Sequence, residues 1–172
     1  MKNKLIPVLA ISLILIVSYY LLNANGSSYN INDDSKGKSF EEILKLAQKD
    51  KKKVVIQVYA DWCSWCKKME KETFPDAFVQ KELKRNYYMY RLNGESNETI
   101  EYDGRKWTKA ELTKAFGIRG FPSTIFLNFN SKPITVLPGY VDAKTFAKIL
   151  QFIGDDLYTK MTFDEFMKGS KN

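Results

Sequence analysis

The run VVIQVYA, Val54 to Ala60, constrains the fold more than any other stretch of the chain. It is rich in β-branched residues and does not alternate between apolar and polar. It therefore suits a central strand buried on both faces, with material packed above and below it. The flanking patterns supply that material. Ser39-Phe40-Glu41-Glu42 is a capping box that opens a helix, with Ile43, Leu44 and Ala47 at helical spacing. KDKKK, Lys49 to Lys53, is the loop from that helix into the strand.

After the strand, one helix is expected from near Cys63 to about Thr73, and another from Pro75-Asp76 to about Leu83. YYMYRL (Tyr87 to Leu92) reads as a second strand, and the polar stretch Asn93 to Trp107 as a loop insertion. Thr108 to Glu111 is a second capping box, for a helix that stops at Gly117. STIFLNF (Ser123 to Phe129) is a third strand, joined by the turn Asn130 to Lys132 to a hairpin partner from Pro133 to Leu137. Asp142 caps a helix through Ile153, and Thr162 to Glu165 caps a short final one. Strands separated by helices imply right-handed parallel crossovers, whereas the late pair with its short turn must be antiparallel. The expected architecture is α/β, a mixed central sheet with helices on both faces. Phe40, Phe78, Phe126 and Phe146 fall where such elements need core, and Tyr87, Tyr88 and Tyr90 fit ordinary sheet packing. GDDLYTKMTFDEFMKG, towards the C-terminus, reads as a helical add-on packed against the sheet.

Ahead of this domain, Leu5 to Leu22 is uncharged throughout. As a helix it would reach roughly 27 Å, close to the thickness of a hydrocarbon core of about 30 Å. Lys2 and Lys4 precede it, which keeps the N-terminus in the cytoplasm and sends the remainder across the membrane. An uncleaved transmembrane anchor fits best. A cleaved signal peptide is the alternative, although Leu22-Asn23-Ala24 is a poor cleavage site. No cysteine follows to carry a lipid. On either reading residues 1–24 are the anchor or signal segment, 25–38 a flexible polar linker, and 39–172 an exported domain. The location is thus periplasmic or otherwise extracytoplasmic, tethered to the cytoplasmic membrane.

The formal charge of +7 comes from lysines spread along the chain, which reads as a solvated surface rather than a binding patch. No nucleic-acid-binding module is recognisable, so no nucleic-acid partner is expected. The chain has no histidine, which excludes Ser-His-Asp and Cys-His catalysis, HExxH metal sites and His-ligated haem. Its two cysteines cannot complete a four-ligand zinc site within one chain. No metal and no organic cofactor is expected.

Those cysteines, Cys63 and Cys66, lie in YADWCSWCKKME, each directly preceded by a tryptophan. Three readings exist: a redox couple, half of a metal site shared between two chains, or an inert disulfide. The redox reading fits the context best. Cys-x-x-Cys at a helix start puts the first sulfur where unsatisfied N–H groups and the helix dipole favour thiolate. The second lies one turn inside and can resolve a mixed disulfide formed on the first. An inert bridge gains little from so small a loop, and a strained, exposed ring is easily reduced.

At these residues the chain resembles the thioredoxin family. Tyr59-Ala60-Asp61-Trp62-Cys63, Cys66 and Lys67 resemble its active-site segment, and Phe116 to Ser123 resemble its segment ending in a cis-proline. The resemblance covers about Ser39 to Ile153. The Asn93–Trp107 insertion and ETFPDAFVQKEL are similar to exported members, among them the C-terminal domain of the electron-transfer protein DsbD and the SoxW-type periplasmic thioredoxins. It implies a thioredoxin fold with Cys63 as nucleophile and Cys66 as resolving thiol. Pro122 would be cis beside them, with the backbone of Phe121 free to pair with an extended substrate. Trp62 and Trp65 would border the substrate, Trp65 either contacting partners or shielding the disulfide edge.

Two departures carry information. The family's buried aspartate, six positions before the first cysteine, is replaced by Gln57, which cannot ionise. Asp61 and Glu70 remain as candidates for proton transfer. Between the cysteines stands Ser64-Trp65, where strongly oxidising relatives often have a histidine, and the balance leans towards a reductant. The resulting expectation is a monomeric, membrane-tethered reductase of disulfides in exported proteins, recharged by a DsbD-like membrane electron donor. A disulfide oxidase or isomerase, and a non-enzymatic binding or assembly module, remain the alternatives.

Overall fold

Strand β1 (Lys53–Tyr59) is held between two neighbours, in parallel register with β2 (Tyr87–Asn93) and antiparallel with β5 (Ser123–Leu127). Strand β6 (Pro133–Pro138) extends the sheet on the far side of β5, giving the order β2-β1-β5-β6. The computed structural model describes residues 37–169. Its remaining elements are α1 (Phe40–Asp50), α2 (Ser64–Glu72), α3 (Ala77–Asn86), β3 (Thr99–Tyr102), β4 (Arg105–Thr108), α4 (Lys109–Ala115), α5 (Ala143–Gly154), a short 3₁₀ turn (Leu157–Thr159) and α6 (Phe163–Gly169).

The non-alternating sequence of β1 has the expected cause. Val54, Ile56 and Val58 face Phe40, Ile43 and Ala47 of α1 and Leu112 of α4. Val55 faces the other way, into a core with Met69 of α2, Val79 and Leu83 of α3, and Phe146 and Leu150 of α5. Each large apolar side chain so buried contributes about 1.5–3 kcal/mol relative to exposure, which fixes the strand at the centre of three layers. Both capping boxes form: Ser39 with Glu42 starts α1 and Thr108 with Glu111 starts α4. Asp76 and Asp142 cap α3 and α5.

Three expectations are corrected. The stretch Asn93–Trp107 is not a plain loop but holds the antiparallel hairpin β3–β4. Asp103 and Gly104 take φ of 52° and 74° at its tip, the left-handed pair that suits a two-residue hairpin turn. The hairpin covers the α1 side of the domain, where Ile100 is buried and the Tyr102 hydroxyl donates to the Ser131 carbonyl at 2.7 Å. Phe78 is not core; it is 71 % exposed, because the buried stripe of α3 runs through Val79, Gln80 and Leu83. The C-terminal helix α6 packs chiefly on α5, with Phe163 and Phe166 5.4 and 5.5 Å from the Phe152 ring.

Among the described residues no helix is long and apolar enough to cross a membrane. The anchor or signal segment, and the linker up to residue 36, lie outside the described residues.

Candidate redox site around Cys63 and Cys66

The site stands where β1 ends and α2 begins. Tyr59 is the last residue of β1, and the Cys63 N–H donates to the Ala60 carbonyl at 3.0 Å, turning the chain into the helix. Cys63 is the N-cap of α2, with extended backbone, and its Sγ accepts the Cys66 N–H at 3.0 Å. The two cysteines form a disulfide of 2.07 Å. A backbone N–H aimed at Sγ and the positive end of the helix dipole both favour negative charge on Cys63 once the bond is opened.

The pair is covered, where an exposed ring was expected. Cys63 is 2 % and Cys66 1 % exposed, packed with Ala60 and flanked by Tyr59 and Phe121. That contact brings the second motif to the first. The Phe121–Pro122 peptide is cis, Gly139 donates to the Pro122 carbonyl at 2.8 Å, and the Ser123 hydroxyl donates to the Gly120 carbonyl at 2.8 Å. Residues 116–123 with Val136, Pro138 and Gly139 line a groove of about 460 Å³ beside it. A larger groove, about 550 Å³, lies between α3 and α5 beside Phe78 and includes none of these residues.

The two tryptophans frame the rim. Trp62 is 69 % exposed, donates through Nε1 to Glu95 at 3.0 Å and meets the Phe121 ring edge-on at 6.1 Å. Trp65 is 54 % exposed, with its ring 5.3 Å from that of Tyr140 and the Lys68 ammonium over both. Large exposed rings beside a buried disulfide offer apolar area to an incoming chain. The proton-transfer candidates are engaged elsewhere. Asp61 accepts from Asn93 Nδ2 at 3.2 Å, and Glu70 is ion-paired with Arg91, whose guanidinium lies 4.3 Å over the Tyr59 ring.

Sequence reasoning missed several neighbours. Arg91, Glu95 and Tyr140 were not singled out by the sequence. Gly94 is buried, and its N–H donates to the Tyr59 carbonyl at 2.8 Å, tying the end of β2 to the end of β1. Its signal was a glycine directly after a strand pattern, where a backbone approaches closely. Gln57 is fully buried, and neither its side-chain nitrogen nor its oxygen has a hydrogen-bond partner.

Residues 40–154 match the family model of the thioredoxin-like domain. The chain belongs to the thioredoxin-like family. Cys63 and Cys66 are its Cys-x-x-Cys pair. The chain is 32 % identical over 118 residues to the thiol:disulfide interchange protein DsbD of Colwellia psychrerythraea, covering 63 % of this chain and 18 % of that protein. It is 34 % identical over 108 residues to DsbD of Yersinia pestis, covering 62 % and 17 %. The match therefore spans under a fifth of these relatives' length. A thioredoxin-fold protein from Helicobacter pylori superposes with a TM-score of 0.58 at 22 % identity, over 71 % of this chain and 81 % of that one.

Proposed function

We propose that this chain is an exported, membrane-tethered thiol:disulfide oxidoreductase that reduces disulfides of exported proteins. The Cys63 thiolate attacks one sulfur of a partner disulfide, forming a mixed disulfide and releasing the first partner thiolate. The Cys66 thiolate then attacks Cys63 Sγ, and the second partner thiolate leaves. The Cys63–Cys66 bond is made, and two electrons pass to the partner. Trp62, Trp65, Phe121 and Pro122 border the path along which the partner reaches Cys63. Asp61 and Glu70 are the carboxyl candidates for proton exchange, each then leaving its present partner, Asn93 or Arg91.

The observation that carries this reading is the placement of Cys63 as the N-cap of α2, its sulfur accepting the Cys66 N–H, beside the cis Phe121–Pro122 peptide. The names of the DsbD relatives, thiol:disulfide interchange proteins, support the reaction class. Reduction is the favoured direction because Ser64-Trp65 holds no histidine to stabilise the reduced form. A reductase outside the cytoplasm needs a supply of electrons, and a DsbD-like membrane donor would provide it.

The test is a Cys66→Ser variant of the full chain expressed in cells. It should accumulate partners linked by a disulfide to Cys63, and none should appear when Cys63 is also replaced. If no linked species accumulates with Cys66→Ser, the exchange mechanism is wrong.

A further inference from the structure

Among the described residues, five buried side-chain nitrogen and oxygen atoms lack a hydrogen-bond partner. Four of them belong to Gln57, Arg91 and Thr124. These three are neighbours across the sheet, since Gln57 of β1 is in register with Arg91 of β2 and with Thr124 of β5. Register partners share a face, so the three side chains form one row.

The face is fixed by its contacts. Arg91 pairs with Glu70 of α2. Val55, two residues before Gln57, packs in the same core as Met69 of α2. Tyr59, two residues after it, packs against the Cys63–Cys66 cluster. Gln57 thus lies in the layer between the sheet and α2, between the positions marked by Met69 and by the cysteines. A buried amide with all its donors and acceptors idle is costly, and the disulfide form explains why it stays idle. An oxidised cysteine has neither an S–H nor a charge to offer. The reduced form creates both.

We propose that Gln57, backed by Thr124, is a positioning residue for Cys66. In the reduced protein its amide N–H donates to the Cys66 sulfur and favours the thiolate needed for resolution. This rests on the oxidoreductase reading above. Burial alone raises a thiol's pKa, and a donor to the thiolate opposes that rise. In the assisted step the Cys66 S–H loses its proton and the Cys66–Cys63 bond forms. The bond from Cys63 to the partner sulfur breaks, and the departing thiolate takes up the proton. Because Gln57 is neutral throughout, it adds no titration of its own to this step. The charged and titratable groups about this layer are Glu70 from α2, Arg91 from β2, Tyr59 from β1 and Asp61 from the loop into α2. Strand β5 contributes the uncharged Thr124 to this row. Lys67 and Lys68 are exposed on the outer side of α2.

The experiment is single-turnover reaction of the reduced full chain with a chromogenic aromatic disulfide. The first aromatic thiol released reports attack by Cys63, and the second reports resolution by Cys66. Followed against pH, Gln57→Leu should raise the apparent pKa of the second phase by about one unit, slowing it about tenfold at neutral pH. The first phase serves as the internal reference. Gln57→Asp should add a second ionisation to the profile of the second phase. Gln57→Met is read in the same way should the leucine variant not fold. If Gln57→Leu or Gln57→Met changes stability but leaves the second-phase profile in place, the inference is overturned. Absence of a second release from the unmodified chain would instead overturn the oxidoreductase reading itself.

Discussion

Gly94 offers a perturbation that reaches the site without touching a sulfur. A Cβ at this position would stand 2.5 Å from Cε1 and 2.8 Å from Cζ of Phe121, and 3.0 Å from Cγ1 of Val58. The backbone cannot withdraw freely, because the Gly94 N–H is bonded to the Tyr59 carbonyl. Val58 is fully buried in the α1-side core and resists on the second side. Ordinary contact begins near 3.4 Å, so the Phe121 ring must give way by roughly 1 Å. It would move within a setting already occupied by Trp62 and the cysteine pair. Overpacking of this kind costs about 1–3 kcal/mol, which lowers Tm by about 4–10 °C for a domain of this size. Thermal unfolding of Gly94→Ala measures that cost, and single-turnover disulfide reduction measures the displacement of Phe121. A double-mutant cycle identifies the cause: in the Phe121→Leu background, the alanine should cost at least about 1 kcal/mol less than it does alone. Additive effects, or a Gly94→Ala protein within about 0.5 kcal/mol of the parent, would refute the packing argument.

Burial pushes the Tyr102 hydroxyl up to about 12 and raises Tyr87 further. Both raised values mean that stability present below about pH 10, the unfolded value, is lost as pH climbs through the folded ones. Tyr102→Phe should flatten the alkaline limb of a stability–pH curve while costing about 1 kcal/mol at pH 7 for the bond to Ser131. At the acid end, the Thr145 N–H holds the Asp142 carboxyl below its ordinary range. Its contribution is present above about pH 4 and lost as pH falls through the folded value. Asp142→Ala should cost about 1 kcal/mol at pH 7 and progressively less below pH 4 in denaturant titrations. Phe146, fully buried with its ring 5.5 Å from that of Phe74 and 6.5 Å from that of Phe126, should cost about 3–5 kcal/mol when truncated to alanine. A loss under about 1 kcal/mol would contradict its place in the core.

The legible parts of the sequence were those where one physical demand dominated. Val54 to Val58 could only be an inner strand, and the Ser39 and Thr108 capping boxes placed two helix starts to the residue. The Cys63–Cys66 segment was readable because two thiols at a helix start carry unusual chemistry, and the Phe116–Ser123 segment through its resemblance to the family's cis-proline segment. Competing demands hid the rest. Strands β3 and β4 are four residues each and largely polar, so the insertion read as a loop on its polarity. Phe78 was read as falling where α3 needs core, whereas the period of that helix gives the buried stripe to Val79 and Leu83. The row of Arg91, Gln57 and Thr124 depends on register between three strands, which no single segment encodes.

The central claim is that Cys63 and Cys66 form a reducing dithiol couple. Its most direct test is the equilibrium reduction potential of the full chain, titrated in graded thiol–disulfide buffers. The account predicts a two-electron couple near that of thioredoxin, about −270 mV. A value between about −180 and −120 mV would reverse the direction of electron flow, and a pair that does not titrate at all would contradict the claim outright.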